Sequence, residues 1–367
     1  MDLSRRELLS ASVLALARPR IALSTTTTPA GGSGPIVLSW NENPYGPSPA
    51  ARATLSDTIA SGCRYPDEEI RQLVTALASH EGLSAGHIVT GTGSGELLCA
   101  LGFIYGHDGG EIIAAEPTYA ELTDYARRSG ATLKLVPVDK QHRHDLDAMR
   151  AAVSSRTRAI YVCNPNNPTG TAVTATTLRA FVESLPESVT TIVDEAYMDF
   201  ADSADVSSVV DLVMKGKRVV ILRTFSKIHG MAGVRVGYGI TQPEMAAELA
   251  ATRMSSANIF AMRAARASLG DRAFLTDCRR RIIADRVRIT KELERLGLAY
   301  AQPQGNFVFF DTGMPLARFT EAMRARNILV GRRFPPYDDW CRITIGTEPE
   351  VTAFLEAFRA TVSRRSG

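Results

Sequence analysis

Residues 218–227 read RVVILRTFSK, an apolar run followed by two hydroxyl side chains and a lysine. The apolar and β-branched part, 218–223, predicts a strand that is covered on both faces. A lysine at the end of a buried strand, with Arg235 close by in the chain, has a lowered pKa and is more often neutral, as a nucleophilic amine must be. Ser226, Lys227 and Arg235 surround one glycine-rich loop. The segment therefore predicts a phosphate group held beside a covalent amine.

Similar apolar runs precede this segment and alternate with amphipathic stretches. The predicted strands are 87–90, 111–115, 132–138, 158–163, 191–194 and 218–223. The predicted helices are 95–105, 119–129 and 175–185. Strands without polar alternation, separated by helices, are typical of a parallel sheet with helices on both faces. This part of the chain predicts an α/β fold.

The sequence after about residue 270 has a different pattern. It predicts a long charged helix at 271–296, strands at 306–311 and 341–345, and helices at 316–326 and 351–362. This mixture predicts a smaller α+β domain, and 367 residues are enough for two domains. The predicted division is an export signal and linker at 1–34, a large domain at 71–270 and a small domain at 271–367. Between the first two, an N-terminal arm at 35–70 is predicted to join the small domain and a dimer interface.

The composition excludes several classes of protein. Hydrophobic residues make up 45% and charged residues 22% of the chain, which is ordinary for a folded globular protein. The net charge of +3 is spread along the chain and does not favour a nucleic-acid partner. The cysteines are far apart and the histidines lack metal-ligand spacing, so no metal is expected.

The N-terminus resembles a twin-arginine export signal. Arg5 and Arg6 precede an apolar run at 8–17 that ends in small residues, and 24–34 read as a flexible linker. The apolar run is too short for a permanent membrane span. Export to the periplasm or outside the cell is the prediction, and a cytoplasmic location is the alternative.

Three polar loops follow predicted strands. NPNNPTG (164–170) places three asparagines after one strand, and DEAY (194–197) places Asp194 at the end of another. In open α/β sheets ligands bind at this edge, and an aspartate there can pair with a protonated pyridine nitrogen. A helix N-cap is the alternative role for Asp194. GTGSGE (91–96) lies between a strand and a helix, where free N–H groups attract phosphate.

Together these segments resemble the fold-type I aminotransferases that use pyridoxal 5′-phosphate, in particular the histidinol-phosphate aminotransferase family. The resemblance runs from about Asn41 to Thr347. Its most specific motifs are NENPYGPSP (41–49), RYPD (64–67), NPNNPTG (164–170), DEAY (194–197), SKIHGMAGVRVGY (226–238) and RITIG (342–346). The resemblance implies a mostly parallel seven-stranded sheet in the large domain.

The resemblance also implies roles for residues around the cofactor ring. Lys227 would bind pyridoxal 5′-phosphate as a Schiff base and then move a proton. Asp194 would bind the pyridine nitrogen, and Asn167 and Tyr197 would bind the phenolic oxygen. Tyr119 would stack on the ring. Lys227, Asp194 and Tyr197 are the predicted catalytic residues.

Other residues would bind the phosphate and the substrate. The predicted phosphate subsite consists of Gly95, Glu96, Thr224, Ser226 and Arg235. Tyr65 would reach the phosphate of a neighbouring subunit, which implies a homodimer with shared sites. Arg342 would bind the α-carboxylate of an amino acid, with Asn43 and Tyr45 as further substrate-binding residues.

Two departures from the family pattern leave the substrate open. The family often has Ile-Val-Arg where this chain reads ILVGRR (328–333), so the arginines at 332 and 333 are displaced. His229 replaces the usual aromatic residue after the lysine, and packing is its predicted role. Amino acids, phosphate esters resembling them, and 2-oxo acids are the expected substrate classes.

Transamination is the leading hypothesis, and two others remain open. The same residues could serve a decarboxylase, a C–S lyase or an amino-acid oxidase, because the bond held perpendicular to the ring is the one that breaks. A non-catalytic ligand-sensing domain is a third hypothesis, although the chain shows no attached DNA-binding segment.

Overall fold

Alternating apolar and amphipathic segments become strands and helices in the computed structural model, which describes residues 34–362. The strands are β1 (Ile36–Leu38), β2 (Ile88–Gly91), β3 (Glu111–Glu116), β4 (Thr132–Pro137), β5 (Thr157–Cys163), β6 (Thr190–Asp194), β7 (Val219–Thr224), β8 (Gly237–Ile240), β9 (Phe307–Asp311), β10 (Ile328–Val330) and β11 (Trp340–Thr344). The helices are α1 (Pro49–Thr58), α2 (Asp67–Glu81), α3 (Ser94–Gly106), α4 (Glu121–Arg128), α5 (Leu146–Ala151), α6 (Ala175–Glu183), α7 (Asp211–Met214), α8 (Pro243–Thr252), α9 (Ile259–Gly270), α10 (Arg272–Arg295), α11 (Leu316–Arg324) and α12 (Glu348–Val362).

Seven strands form the large sheet, in the order β2-β8-β7-β6-β5-β3-β4. Strands β3 to β7 are mutually parallel, whereas β8 is antiparallel to both β2 and β7. Parallel strands require crossover connections, and the helices between them supply these. The predicted α/β fold with a mostly parallel seven-stranded sheet is confirmed.

Helices bury both faces of this sheet. On β7, Val219 and Ile221 face one apolar core, and Val220 and Leu222 face the other. The first core contains side chains of α1, α2, α6 and α9, and the second contains side chains of α3, α4 and α8. Since successive strand residues point to opposite faces, coverage of both faces explains why these strands are apolar throughout.

The C-terminal part has its own core. Strand β11 pairs with β9 in antiparallel fashion, and β10 pairs in parallel with β1 from the beginning of the described chain. Helices α10, α11 and α12 pack on these strands, and Leu38 and Ile228 join the same core. The arm that begins at β1 therefore packs against residues almost 300 positions away. The domain boundaries predicted at residues 34, 70 and 270 stay predictions.

Two further findings concern residues 34–362. None of the helices there combines the length and the apolar character needed to cross a membrane. The same residues contain no group of three or more His, Cys, Asp and Glu side chains arranged as a metal site. The predicted twin-arginine motif lies outside the described residues.

Candidate active site

The predicted polar loops meet at one edge of the large sheet. Strands β5, β6 and β7 end at Cys163, Asp194 and Thr224, and Cys163 pairs with Asp194 in register. The carboxyl ends of parallel strands lie at the same edge, where α/β proteins bind their ligands. The loop after each strand therefore carries its side chains toward the same place.

Lys227 is at the centre of this edge. Its Nζ donates a hydrogen bond to the backbone oxygen of Asn41 at 3.0 Å and lies 5.3 Å from the centre of the Tyr197 ring. Burial lowers the pKa of Lys227 to about 8, and the positive charges of Arg342 and Arg235 act in the same direction. A substantial fraction of the amine is therefore neutral at mildly alkaline pH, as the sequence predicted for a nucleophile or a base.

Asp194 is buried beneath the site. One carboxylate oxygen accepts a hydrogen bond from the backbone N–H of Ala196 at 3.1 Å, and the other accepts one from the Tyr161 hydroxyl at 3.2 Å. Burial raises the pKa of Asp194 to about 6, although both hydrogen bonds oppose the increase. The nearby helical turn, Met198–Phe200, has Tyr197 at its N-cap position, so Asp194 is not a helix cap. A buried carboxylate of this kind favours a cationic partner.

Three predicted residues form a continuous chain of hydrogen bonds. Arg342 donates from Nη1 to Oδ1 of Asn167 at 2.6 Å, and Asn167 donates from Nδ2 to the Tyr197 hydroxyl at 3.3 Å. Arg342 also donates from Nη2 to the backbone oxygen of Ser39 at 2.7 Å, while its buried Nε has no hydrogen-bond partner within residues 34–362. A buried guanidinium N–H without a partner costs free energy, so this group is available to an incoming acceptor.

The predicted phosphate subsite is assembled at the start of α3. Gly93 adopts a φ of +78° immediately before the helix, and the first-turn N–H groups of residues such as Gly95 have no partner within the helix. Arg235 donates to Oγ of Ser226 and to the backbone oxygen of Thr92, both at 3.4 Å. A Cβ at Gly93 would lie 2.3 Å from Nη2 of Arg235.

The remaining members of the subsite complete this arrangement. Thr224 donates to Ser226 at 3.0 Å, which places two hydroxyl groups beside the guanidinium of Arg235. The Glu96 carboxylate is already occupied, because it accepts hydrogen bonds from the backbone N–H groups of Thr92 and Ser255. Only the backbone N–H of Glu96 is therefore left to bind an anion. N–H groups, hydroxyls and a guanidinium suit a phosphate.

Other predicted residues lie at the margins of the site. The Tyr119 hydroxyl donates to the Glu121 carboxylate, and Tyr119 is close enough to Asp194 and Tyr197 for their charges to influence its pKa, which burial raises. Tyr65 is 84% exposed, and no hydrogen bond among the described residues joins it to the site.

Asn43 and Tyr45, which were predicted to bind substrate, both contact other residues of the protein. Asn43 donates from Nδ2 to the backbone oxygen of Ile228 at 2.8 Å, which fixes the arm against the lysine loop. The Tyr45 ring packs against the guanidinium of Arg281, 5.1 Å from the ring centre. Their role in substrate binding stays a prediction.

Sequence reasoning missed two buried asparagines. Asn41 accepts the hydrogen bond from Lys227 and donates from Nδ2 to the Tyr197 hydroxyl at 3.2 Å. Asn306 donates to the backbone oxygens of Asn41 and Glu42, both at 3.1 Å. Asn41 begins the NENPYGPSP motif, so the motif gave a signal for this residue, whereas nothing in the sequence distinguished Asn306.

Comparison with known proteins agrees with this geometry. Residues 33–358 match the family model described as aminotransferase class I and II. The chain belongs to this family. This aminotransferase is 38% identical over 328 residues to the histidinol-phosphate aminotransferase of Moorella thermoacetica, covering 88% of this chain and 84% of that protein. It is also 38% identical over 335 residues to the aromatic amino acid aminotransferase of Rhodococcus jostii, covering 91% of this chain and 92% of that protein.

A solved structure supports the same assignment. The histidinol-phosphate aminotransferase of Sinorhizobium meliloti, determined in complex with pyridoxal 5′-phosphate, superimposes on this aminotransferase with a TM-score of 0.84 at 27% identity. The match covers 90% of this chain and 91% of that one. The predicted family, its aminotransferase activity and its dependence on pyridoxal 5′-phosphate are therefore confirmed.

The residues of this aminotransferase fit the cofactor. A buried lysine, a buried carboxylate and a donor-rich phosphate subsite lie at one sheet edge. The lysine amine complements the aldehyde of pyridoxal 5′-phosphate, the carboxylate complements its ring nitrogen, and the subsite complements its phosphate. No side chain of the phosphate subsite presents a carboxylate to an incoming anion, since Glu96 is held elsewhere.

Proposed function

We propose that this aminotransferase exchanges amino groups between an amino acid and a 2-oxo acid, with Lys227 as the residue that binds the cofactor and moves the proton. The observation that carries the proposal is the buried Lys227 amine, which has a lowered pKa and lies between Asn41 and the ring of Tyr197. When bound, pyridoxal 5′-phosphate supplies an electron-poor ring that stabilises negative charge at the substrate α-carbon.

The protein residues would divide the remaining tasks. Asp194 would hold a positive charge at the ring nitrogen, because the hydrogen-bond partners of its buried carboxylate among the described residues, Ala196 and Tyr161, are neutral. The neutral amine of Lys227 would take the proton from the α-carbon and return it at the other end of the reacting group. Arg342 would bind the substrate carboxylate through Nη2 and the adjacent Nε, for which the described part of the chain offers no acceptor.

The lysine role is tested by Lys227→Ala. This variant should lose the visible absorbance that the wild-type protein gains with pyridoxal 5′-phosphate, and its amino transfer to a 2-oxo acid should fall by at least about 10³-fold. Lys215→Ala is the matched control, because Lys215 is exposed and pairs with Asp211 just before β7. Equal spectra for wild type and Lys227→Ala would refute the assignment.

The proposed amino donors carry a ring. Relatives named for histidinol phosphate and for aromatic amino acids match this chain to a similar degree. Next to Arg342 are Phe334, with the guanidinium carbon 4.9 Å from the ring centre, and a group of rings formed by Phe309, Tyr337 and Trp340. Aromatic surfaces of this kind favour aromatic or imidazole side chains.

A panel of donors separates these substrates. Phenylalanine, tyrosine and histidinol phosphate should each discharge the visible absorbance of the enzyme at lower concentration than aspartate or alanine. Arg342→Ala should raise the KM for amino acids more than it weakens cofactor binding. Release of ammonia or CO₂ without a 2-oxo acid would instead favour a lyase, oxidase or decarboxylase.

A homodimer with shared sites is part of the proposal. Tyr65, Trp40 and Ile59 are 84%, 73% and 70% exposed, which is unusual for large apolar side chains in the same N-terminal region. A second copy of the chain would cover them and bring its Tyr65 to the phosphate subsite of the first.

Twin-arginine export is also proposed, on the sequence of residues 1–34 alone. The pair Arg5 and Arg6 before the apolar run supports it. Residues 1–34 fused to a folded reporter should direct it out of the cytoplasm, and replacing both arginines with lysine should retain it inside. Secretion that survives the replacement would count against this route.

A further inference from the structure

Asn41 has a backbone conformation that non-glycine residues seldom adopt. Its φ is +55°, in the left-handed region, and its side chain is only 1% exposed. Asparagine tolerates this region better than most residues, because its short amide can bond locally. A buried residue in this conformation must be held by its surroundings.

The hydrogen bonds of Asn41 connect the two halves of the site. Its backbone N–H donates to Oγ1 of Thr344 at 2.8 Å, and its backbone oxygen accepts from Nζ of Lys227 at 3.0 Å. Its side chain donates from Nδ2 to the Tyr197 hydroxyl at 3.2 Å, and its Oδ1 accepts from Thr344 at 3.4 Å. One residue thus contacts the lysine, the tyrosine and strand β11.

The Tyr197 hydroxyl receives two amide donors. Nδ2 of Asn41 lies 3.2 Å from it and Nδ2 of Asn167 lies 3.3 Å from it. The orientation of the Asn167 amide is fixed, because Arg342 can only donate and therefore contacts the amide oxygen. A hydroxyl has two acceptor sites and one hydrogen. With both acceptor sites filled, the hydrogen of Tyr197 points away from both asparagines.

We propose that Asn41 is a positioning residue that fixes the Tyr197 hydroxyl as a hydrogen-bond donor toward the bound ligand, with Thr344 holding the Asn41 side chain in place. This inference rests on the proposed function, since it requires a ligand beside Tyr197. Burial raises the pKa of Tyr197, and the charge of Arg342 and the hydrogen bond from Asn41 oppose the increase. The other titratable groups near Tyr197 among the described residues are Asp194, Cys163, Tyr119 and Lys227.

Asn41→Gly tests the proposal, because glycine adopts a positive φ without strain and keeps the backbone bonds to Lys227 and Thr344. Only the side-chain bonds are lost, which are the one to the Tyr197 hydroxyl and the one that Oδ1 accepts from Thr344. Asn327→Gly is the matched control, since Asn327 also has a left-handed φ, +60°, but its amide contacts the backbone oxygen of Gly34 instead. The readout is the pH midpoint of the visible absorbance of the enzyme with bound pyridoxal 5′-phosphate.

The midpoint should move upward by about half a pH unit or more in Asn41→Gly, because a less well directed donor stabilises a negatively charged ligand oxygen less. It should not move in Asn327→Gly. In a Tyr197→Phe background, Asn41→Gly should have no further effect, since the two residues act as one unit. Equal midpoints for Asn41→Gly and Asn327→Gly, or an undiminished effect in the Tyr197→Phe background, would overturn the inference.

Two measurements keep the outcome clear. If Asn41→Gly does not fold, Thr344→Val removes the hydroxyl that holds the Asn41 amide, and the same upward shift is expected; no shift would overturn the inference. If wild-type protein gains no visible absorbance with pyridoxal 5′-phosphate, the proposed function itself fails. A coloured wild type with unshifted variants refutes the role of Asn41 alone.

Discussion

Burial changes the proton affinities of Asp194 and Lys227 in opposite directions. The pKa of Asp194 is raised to about 6 and that of Lys227 is lowered to about 8, so both groups are driven toward neutrality. A site that binds a charged ligand must hold such groups in a poorly solvated place. The cofactor-free protein should therefore be less stable than its packing alone would allow.

Asp194→Asn should stabilise the cofactor-free protein at neutral pH. Because the folded-state pKa of Asp194 is raised from 3.8 to about 6, the unfolded state loses this proton first as the pH rises, and the folded state loses stability between about pH 4 and pH 6. Above about pH 6 the free energy of unfolding does not fall any further for this reason. The difference in unfolding free energy between variant and wild type should be on the order of 3 kcal/mol at pH 7.5 and should vanish near pH 4.

Denaturant unfolding of the cofactor-free proteins at several pH values measures this difference. The same variant should bind pyridoxal 5′-phosphate more weakly, since an amide cannot balance a positive charge. A stability difference that does not depend on pH would contradict the assignment of the deficit to this carboxyl group.

The sequence predicted most residues of the site but not all their partners. Lys227, Asp194, Asn167 and Arg342 follow strands or lie on them, and the strands bring them together as expected. The acceptor for Lys227 is a backbone oxygen, that of Asn41, and any residue type supplies such an oxygen. Its position depends on the path of the arm, which no local pattern encodes.

At the scale of elements, the apolar strands were predicted well and the atypical ones were missed. Strand β8 reads GYGI, and glycines are uncommon in strands. Strands β1 and β10 have three residues each, too few to show a period. Helix α1 lies in the segment predicted as an arm, α2 begins there and extends into the predicted large domain, and α8 and α9 lie in a stretch for which no element was predicted.

The two glycines of β8, Gly237 and Gly239, have different surroundings. A Cβ at Gly237 would lie 2.3 Å from the backbone nitrogen of Ser94, at the start of α3. A Cβ at Gly239 would meet only side chains, with Cγ1 of Val89 closest at 3.1 Å. Backbone atoms cannot give way as side chains do, so glycine at 237 permits the close approach of the helix start to the sheet.

Gly237→Ala should therefore raise the Kd for pyridoxal 5′-phosphate by about tenfold or more, because it displaces the N–H groups of the phosphate subsite, at an overpacking cost of about 1–3 kcal/mol. Gly239→Ala is the control in the same strand and should have a smaller effect on affinity. Fluorescence titration with the cofactor gives both values. Similar cofactor affinities for the two variants would argue against a special role of Gly237 in positioning the start of α3.

At the scale of the whole molecule, composition and pattern predicted an α/β part and an α+β part, and the arm at 35–70 was predicted to join the small domain. The pairing of β1 with β10 was visible only in the structure. Leu38 lies in the C-terminal core, while Ala51 lies in a core of the large sheet. Long-range pairing of this kind has no signature in a local window of sequence.

Mixing two inactive variants tests the shared site. Lys227→Ala lacks the amine and Tyr65→Ala lacks the residue proposed to reach the partner's phosphate subsite. In a mixed dimer one site regains both residues, so random exchange of subunits should restore about a quarter of the wild-type activity. Mixing Lys227→Ala with Lys227→Ala,Tyr65→Ala is the control and should restore nothing. Failure of the first mixture, despite a dimeric mass in sedimentation, would refute shared sites.

The pairing of β1 with β10 has a consequence for biosynthesis. Ser39 and Asn41 follow β1 directly, yet they are fixed by residues 328–330, 342 and 344 near the other end of the chain. A ribosome that has made the large sheet has therefore not made a complete active site. The lysine obtains these neighbours only after residue 344 has been made, so tight uptake of the cofactor is expected to follow the synthesis of β11.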